Sequence, residues 1–308
     1  MSLLVVGTVA FDDIQTPFGR AEKVVGGAAT YISLSASYYT KNVHIVSVIG
    51  DDFPQGDLDD LTARGVDLKG LQLIKGEKSF FWAGKYHDNM NDRDTLDTQL
   101  NVLADFDPVL PPSYQEADYV MLGNLTPAVQ MRVLDQLKKR PKLIALDTMN
   151  FWMDIALDEL KEVIKRIDIL TINDEEARQL SGEHSLVKAA AAIHEMGPKH
   201  LIIKKGEHGA LLFSDHQVFF APALPLAEVF DPTGAGDTFA GGFMGYLAST
   251  DDLSFENMKR AVIYGSAMAS FCVEKFGTER LKELDDDLIL ERMLRFVDLV
   301  NFDAKLSV

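Results

Sequence analysis

Asp231-Pro232-Thr233-Gly234-Ala235-Gly236-Asp237-Thr238-Phe239 is the stretch from which the fold of this chain can be read. Its first half is turn-forming, and residues 238–247 continue in a helical pattern, so a helix is predicted to begin inside the Gly-Ala-Gly run. The first amides of a helix have no partner within it, and with the positive end of the helix dipole they form an anion site. Glycine lets the backbone come close to that anion and take positive φ. Asp237 then falls in the first helical turn, placed to accept a proton from an attacking hydroxyl. Phosphoryl transfer asks for little more than in-line positioning, charge neutralisation and a base. A simpler reading is a turn with an acidic first-turn residue, which the dipole favours anyway. Three small residues in a row, continued by Gly241-Gly242, favour the close approach of a ligand.

Outward from this stretch, short β-rich apolar runs alternate with longer helical patterns. Strands are predicted at 3–8, 43–49, 119–122, 143–146, 167–172 and 201–204, mostly as continuous apolar runs of the kind covered on both faces. Thr126-Pro127 opens a helix running to about Lys139. Pro54 opens one closed by Gly65, and another spans 185–196 before Gly197. This alternation predicts an α/β, doubly wound, mostly parallel sheet flanked by helices. One region departs from it. Residues 78–87 read as a strand, and 88–101 form a polar stretch with no core pattern, so an insertion outside the main sheet is expected. It is a candidate small β lid, with a β-meander packed on the sheet edge as the plainer reading. Its Phe80, Phe81, Trp82 and Tyr86 include candidates to stack on a sugar face or a base.

Bulk properties narrow the partners. The 308 residues are 47% hydrophobic and 25% charged, enough for one large α/β domain. A net charge of −17 argues against nucleic acid as a partner. A small anionic ligand is still allowed, because local amides, a few lysines and a metal ion outweigh the global field. The single cysteine, Cys272, lies in an apolar stretch and suits a reducing compartment. With no apolar run of membrane-spanning length and no leader pattern at the start, a cytoplasmic protein is expected. The sequence has no G-x-x-x-x-G-K-[ST], no H-R-D or D-F-G, and no G-x-G-x-x-G after the first strand. It therefore lacks the marks of P-loop enzymes, protein kinases and dinucleotide-binding folds.

Asp-Pro-Thr-Gly-Ala-Gly-Asp-Thr-Phe resembles the C-terminal signature of the ribokinase-like (PfkB-type) carbohydrate kinases, and other segments agree in family order over the whole chain. Gly7 to Asp12 is similar to the first-strand G-x-x-x-x-D, whose Asp binds substrate hydroxyls in the family. Gly26-Gly27 resembles the turn where substrate meets backbone. Asn173-Asp174-Glu175-Glu176 resembles N-x-x-E, and Gly206-Glu207-His208-Gly209 resembles the G-x-x-G turn lining the nucleotide site. The resemblance implies one ribokinase-like domain over 1–308, with a lid from about 12–25 and 75–105. It implies a catalytic group of Asp237, Gly234, Ala235 and Gly236, and substrate contacts at Asp12, Gly26 and Gly27. It also implies nucleotide contacts at Asn173, Lys204, Gly206 and Gly209. ATP and Mg²⁺ are expected, and in the family K⁺ and pairing through the lid are common.

Several of these positions also stand on physics. Asp12 ends the first strand, where open α/β sheets place ligands, although a loop aspartate making a local turn explains it as well. Asn173 can cap the next helix, and Glu176 one turn on can hold Mg²⁺ through water. Lys204 and Lys205 leave a strand at the same end of the sheet, as phosphate partners or as solvated charge. Two departures bear on the substrate. Tyr31 stands where the family usually has an Asn that contacts sugar hydroxyls, and in Asp147-Thr148-Met149-Asn150 the Asn comes one position later than in the family's D-x-N. The expectation is an ATP-dependent kinase for a small hydroxylated substrate, first a sugar and second a nucleoside. A catalytically silent nucleotide or sugar sensor is the competing class, and a Rossmann-type oxidoreductase a third.

Overall fold

The computed structural model describes residues 1–215 and 217–301. Its main sheet takes nine strands in the order β13-β12-β11-β10-β9-β8-β1-β4-β5. These are β1 (Leu3–Val6), β4 (Val43–Gly50), β5 (Val66–Ile74), β8 (Tyr119–Leu122), β9 (Leu143–Asp147), β10 (Ile169–Asn173), β11 (His200–Lys204), β12 (Ala210–Ser214) and β13 (Gln217–Ala221). All neighbours from β5 to β11 run parallel, and β12 and β13 are added antiparallel at one edge. The chain winds outward from β1 in both directions, which places a switch in strand order between β1 and β8, where α/β sheets open a crevice.

Strand β1 shows why both faces are covered. Leu3 and Val5 enter one core and Leu4 and Val6 the other, as two-residue alternation requires. The first core is closed by α1 (Ala28–Ala36), α8 (Ala235–Thr250) and α9 (Phe255–Cys272). The second is closed by α3 (Pro127–Asp135), α5 (Leu157–Ile164), α6 (Asp174–Ser181) and α7 (Leu186–His194). The short α4 (Asn150–Ile155) precedes α5, α2 (Gln55–Ala63) flanks the β5 edge, and α10 (Glu279–Lys282) and α11 (Asp286–Val300) end the described chain. A doubly wound, mostly parallel fold is what the alternating runs implied.

A second sheet of four strands, ordered β3-β2-β6-β7, stands apart. It comprises β2 (Ala10–Thr16), β3 (Gly19–Gly26), β6 (Phe80–Tyr86) and β7 (Arg93–Gln99). Strand β7 is a correction, because residues 88–101 read as a patternless polar stretch. All seven of its residues are exposed, so no apolar alternation marks it and pairing to β6 alone makes it a strand. The helix opened by Thr126 also ends early, at Asp135. In its tail, 136–140, only Leu137 is apolar, and it packs against the second core without the helix continuing.

Gly241 and Gly242 need correction too. A Cβ on Gly241 would press on the Ile32 carbonyl of α1, and one on Gly242 would meet Gly265 of α9 at 3.0 Å. They let helices approach, whereas the Gly-Ala-Gly turn ahead of them is where the backbone is open.

Candidate active site

The mouth of the site is the start of α8. Gly234 caps the helix with φ 74°, in the left-handed region that disfavours a side chain. A Cβ there would also lie 2.5 Å from the ring of Tyr31. The Ala235 amide donates to the Pro232 carbonyl at 3.2 Å, so it is spent on the turn itself. The Gly236 and Asp237 amides have no acceptor among the described residues. The open donor pair is therefore shifted one residue onward from the Ala235 and Gly236 expected of the helix start. Asp231 braces the turn by accepting from the Thr233 amide at 2.8 Å and the Gly277 amide at 2.9 Å.

Asp237 stands in the first turn, partly open to the crevice. Burial and the neighbouring Asp147 carboxylate push it up to about 7, against the pull of Lys204 and Arg93. A carboxylate held near neutrality is charged in a useful fraction of molecules and still able to take a proton. Lys204 ends β11 and points its ammonium toward Gly236, lying 3.1 Å from where a Cβ would be. It is paired with Asp147 at the end of β9, 2.6 Å away. Burial alone would drain the Lys204 charge, but Asp147 and Glu176 reverse that and hold the ammonium above its ordinary range.

On the opposite wall, Asp12 lies in β2 of the small sheet rather than at the end of the first strand, because β1 stops at Val6. It is buried, and desolvation with the Asp231 and Asp237 charges pushes it up to about 8. A Cβ on Gly26 would collide with the Asp12 carboxylate, and Gly27 turns into α1 with φ 91°. Both glycines thus bring Asp12 close to the backbone. Tyr31, standing where the family has a substrate-contacting Asn and so expected at the acceptor, is only 1% exposed. Its ring lies against Gly234, and its hydroxyl has no hydrogen-bond partner among the described residues.

Asn173 and Glu176 form a complete capping box at α6. The Asn173 side chain accepts from the Glu176 amide at 2.7 Å, and the Glu176 carboxylate accepts from the Asn173 amide at 2.8 Å. One Glu176 oxygen is therefore committed to the helix. Burial raises the group to about 7 despite the Lys204 charge. Gly206 and Gly209 bracket a short turn just after Lys204, where the Lys205 amide donates to the Gly209 carbonyl at 2.8 Å.

The small sheet closes over this crevice. Tyr86 of β6 reaches Thr233 of the helix-start turn, hydroxyl to hydroxyl, at 3.2 Å. Asn91, in the β6–β7 turn, has its side-chain oxygen 2.6 Å from where a Cβ on Gly206 would be. Arg93 follows on β7, near enough for its charge to pull down both Asp237 and Glu176. Neither Asn91 nor Arg93 carries a signal in the sequence, because both lie in the polar stretch whose strand is invisible there. Trp82 packs over Gly84 and donates to Thr95 at 3.3 Å, so it serves the lid itself.

Residues 3–284 match the profile of the pfkB family of carbohydrate kinases. A cytidine kinase of Thermococcus kodakarensis is 31% identical over 250 residues, covering 79% of this chain and 87% of that protein. A nucleoside kinase of Methanothermobacter thermautotrophicus is 27% identical, covering 90% and 91%. A solved structure of a candidate ribokinase II of E. coli, in complex with ATP and Mg²⁺, superposes with a TM-score of 0.78 at 20% identity. That superposition covers 97% of this chain and 99% of the other.

Proposed function

This chain belongs to the pfkB family of carbohydrate kinases, and from that footing we propose that Asp237 is the base with which it phosphorylates the ribosyl hydroxyl of a nucleoside. The protein is an ATP-dependent kinase acting on a hydroxyl of a sugar or nucleoside. The single observation carrying the residue-level reading is the start of α8. Two unpartnered amides, a buried ammonium and a carboxylate held near neutrality meet within one helical turn.

The acceptor hydroxyl gives its proton to the Asp237 carboxylate as its oxygen forms a bond to the γ-phosphorus. The bond from that phosphorus to the bridging oxygen breaks, and ADP leaves with the electron pair. The Gly236 and Asp237 amides and the Lys204 ammonium face the charge that develops on the transferred oxygens. Asp12, beside the glycine turn, orients the acceptor through its hydroxyls.

Among the described residues no three His, Cys, Asp or Glu side chains are grouped to hold a metal directly. The one uncommitted oxygen of Glu176 fits a hydrated ion better than a bare one, as Mg²⁺ prefers. Mg²⁺ bound to the nucleotide phosphates supplies charge neutralisation. We read a K⁺ requirement and pairing of two copies through the lid as family traits to be tested by omission of K⁺ and by sedimentation.

A nucleoside is favoured over a free sugar by the cytidine and nucleoside kinase relatives, and by Tyr31 standing where sugar kinases carry an amide. ADP formation over a panel of nucleosides and sugars tests the substrate. A free pentose or hexose exceeding every nucleoside in kcat/KM overturns that part. Asp237→Asn tests the base: a kcat loss of ~10²–10⁴ with nucleotide binding retained is expected. Turnover within about threefold of wild type removes the assignment.

A further inference from the structure

Lys204 and Asp147 are two strands apart in the sheet. β9 and β11 both pair with β10, so the lysine side chain must cross the end of β10 to reach its partner. The contact is 2.6 Å, with the two side chains 19% and 8% exposed. The second Asp147 oxygen accepts from the Thr148 amide at 2.8 Å, which fixes the carboxylate where the strand turns into its loop. A lysine stem is flexible and its ammonium strongly hydrated, so without an anchor it would swing toward water. Here it is held with the charge beside Gly236, 3.1 Å from where a Cβ would be, in the same turn as the two open amides of α8.

We infer that Asp147 is a positioning residue for phosphoryl transfer, holding the Lys204 ammonium against the Gly236 end of the helix-start turn. This rests on the reading of that turn given above. Asp147 itself does not touch the transferred group. It acts in two ways, by keeping the ammonium aimed during each turnover and by adding negative charge beside Asp237. The charged groups facing Asp237 come from every side: Asp147 on β9, Lys204 on β11, Arg93 on the lid and Asp12 on β2, with Glu176 of α6 acting on Lys204. Asp147 and Lys204 pull in opposite senses. The carboxylate makes Asp237 more basic and the ammonium makes it less so. An ordinary strand-end ion pair would have no such signed effect on the reaction.

The experiment is the pH profile of kcat/KM for the acceptor in wild type, Asp147→Asn and Lys204→Met, with folding checked by thermal melts. Asp147→Asn is expected to lower kcat roughly ten- to hundredfold, less than losing a direct donor. It should leave the acceptor KM within about threefold and move the acid limb down by about half a pH unit or more. Lys204→Met is expected to move the same limb up. Either variant decides the matter alone if the other does not fold. A limb that stays in place, or moves the same way in both, overturns the inference, as does wild-type kcat in Asp147→Asn. Asp237→Asn separates the two levels. If it turns over normally, the base reading fails and the positioning role falls with it. If it is inactive while the limb stays in place in the other variants, only the positioning role is lost.

Discussion

At the scale of single residues, burying three acids in one crevice has a cost with a definite sign. Asp12, Asp237 and Glu176 are all held above the ordinary carboxylate range, chiefly by desolvation. Their protonated forms are thus favoured in the fold. The stability they contribute is fully present below the unfolded pKa near 4 and is lost as pH rises through about 7 to 8. Asp237→Asn should therefore raise the melting temperature at pH ~8.5, by roughly 2 °C or more, and change it little at pH ~5. Melts at the two pH values check this, and an equal shift at both contradicts it. Activity runs the other way: kcat/KM should climb with pH through about 7 as Asp237 loses its proton. Gly234→Ala meets two obstacles, a left-handed φ and the Tyr31 ring. It is expected to cut kcat/KM at least ~10²-fold, measured beside a melt that shows the fold intact. The sequence marks Asp237 and its glycines because a Gly-Ala-Gly turn at a helix start leaves amides free for an anion. It says nothing of which amides stay open. That depended on Ala235 bonding back to Pro232.

Among the elements, α6 holds one residue, Glu176, whose capping role leaves a carboxylate oxygen uncommitted. Asn173 caps the helix as its type and place suggest, and Glu176 returns the bond to complete a capping box not expected from the sequence. Asn173→Ala should cost about 1 kcal/mol of stability by chemical denaturation. Glu176→Gln keeps an acceptor for the Asn173 amide, so the helix should hold. If the uncommitted oxygen serves a hydrated ion, the Mg²⁺ concentration for half-maximal rate should rise severalfold with the acceptor KM unchanged. An unmoved Mg²⁺ titration would reduce Glu176 to a cap. The glycines of α8 teach the complementary lesson. Gly234 and Gly236 belong to the site and Gly241 and Gly242 to helix packing, yet in the sequence they form one small-residue run. Only the neighbours, Tyr31 and Lys204 on one side and Ile32 and Gly265 on the other, separate the roles.

Across the whole molecule, the lid is tied to the main domain at the reaction centre, through Tyr86 to Thr233 and Asn91 beside Gly206. Arg93 of this sheet already lies in charge range of Asp237, and under the proposed reading a lid closing here would exclude water from the transferred group. Acceptor together with a non-hydrolysable ATP analogue should slow tryptic cleavage after Lys85 and Arg93 severalfold relative to either ligand alone. Equal rates in all mixtures would mean that the lid does not respond to the pair. The doubly wound alternation of strand and helix, the helix starts at Thr126 and Asn173 and the helix-start turn at residues 231–237 were determined by the sequence itself. They are set by local rules: two-residue or helical periodicity, capping side chains, and glycine where φ or close approach demands it. The tertiary structure alone decided that β7 is a strand, that Lys204 crosses β10 to Asp147, and that Tyr31 lies beneath Gly234. Each of these is a pairing with residues outside the segment itself, on the neighbouring strand for β7 and far along the chain for the other two. Its energy comes from the partner, so no pattern within either segment had to record it.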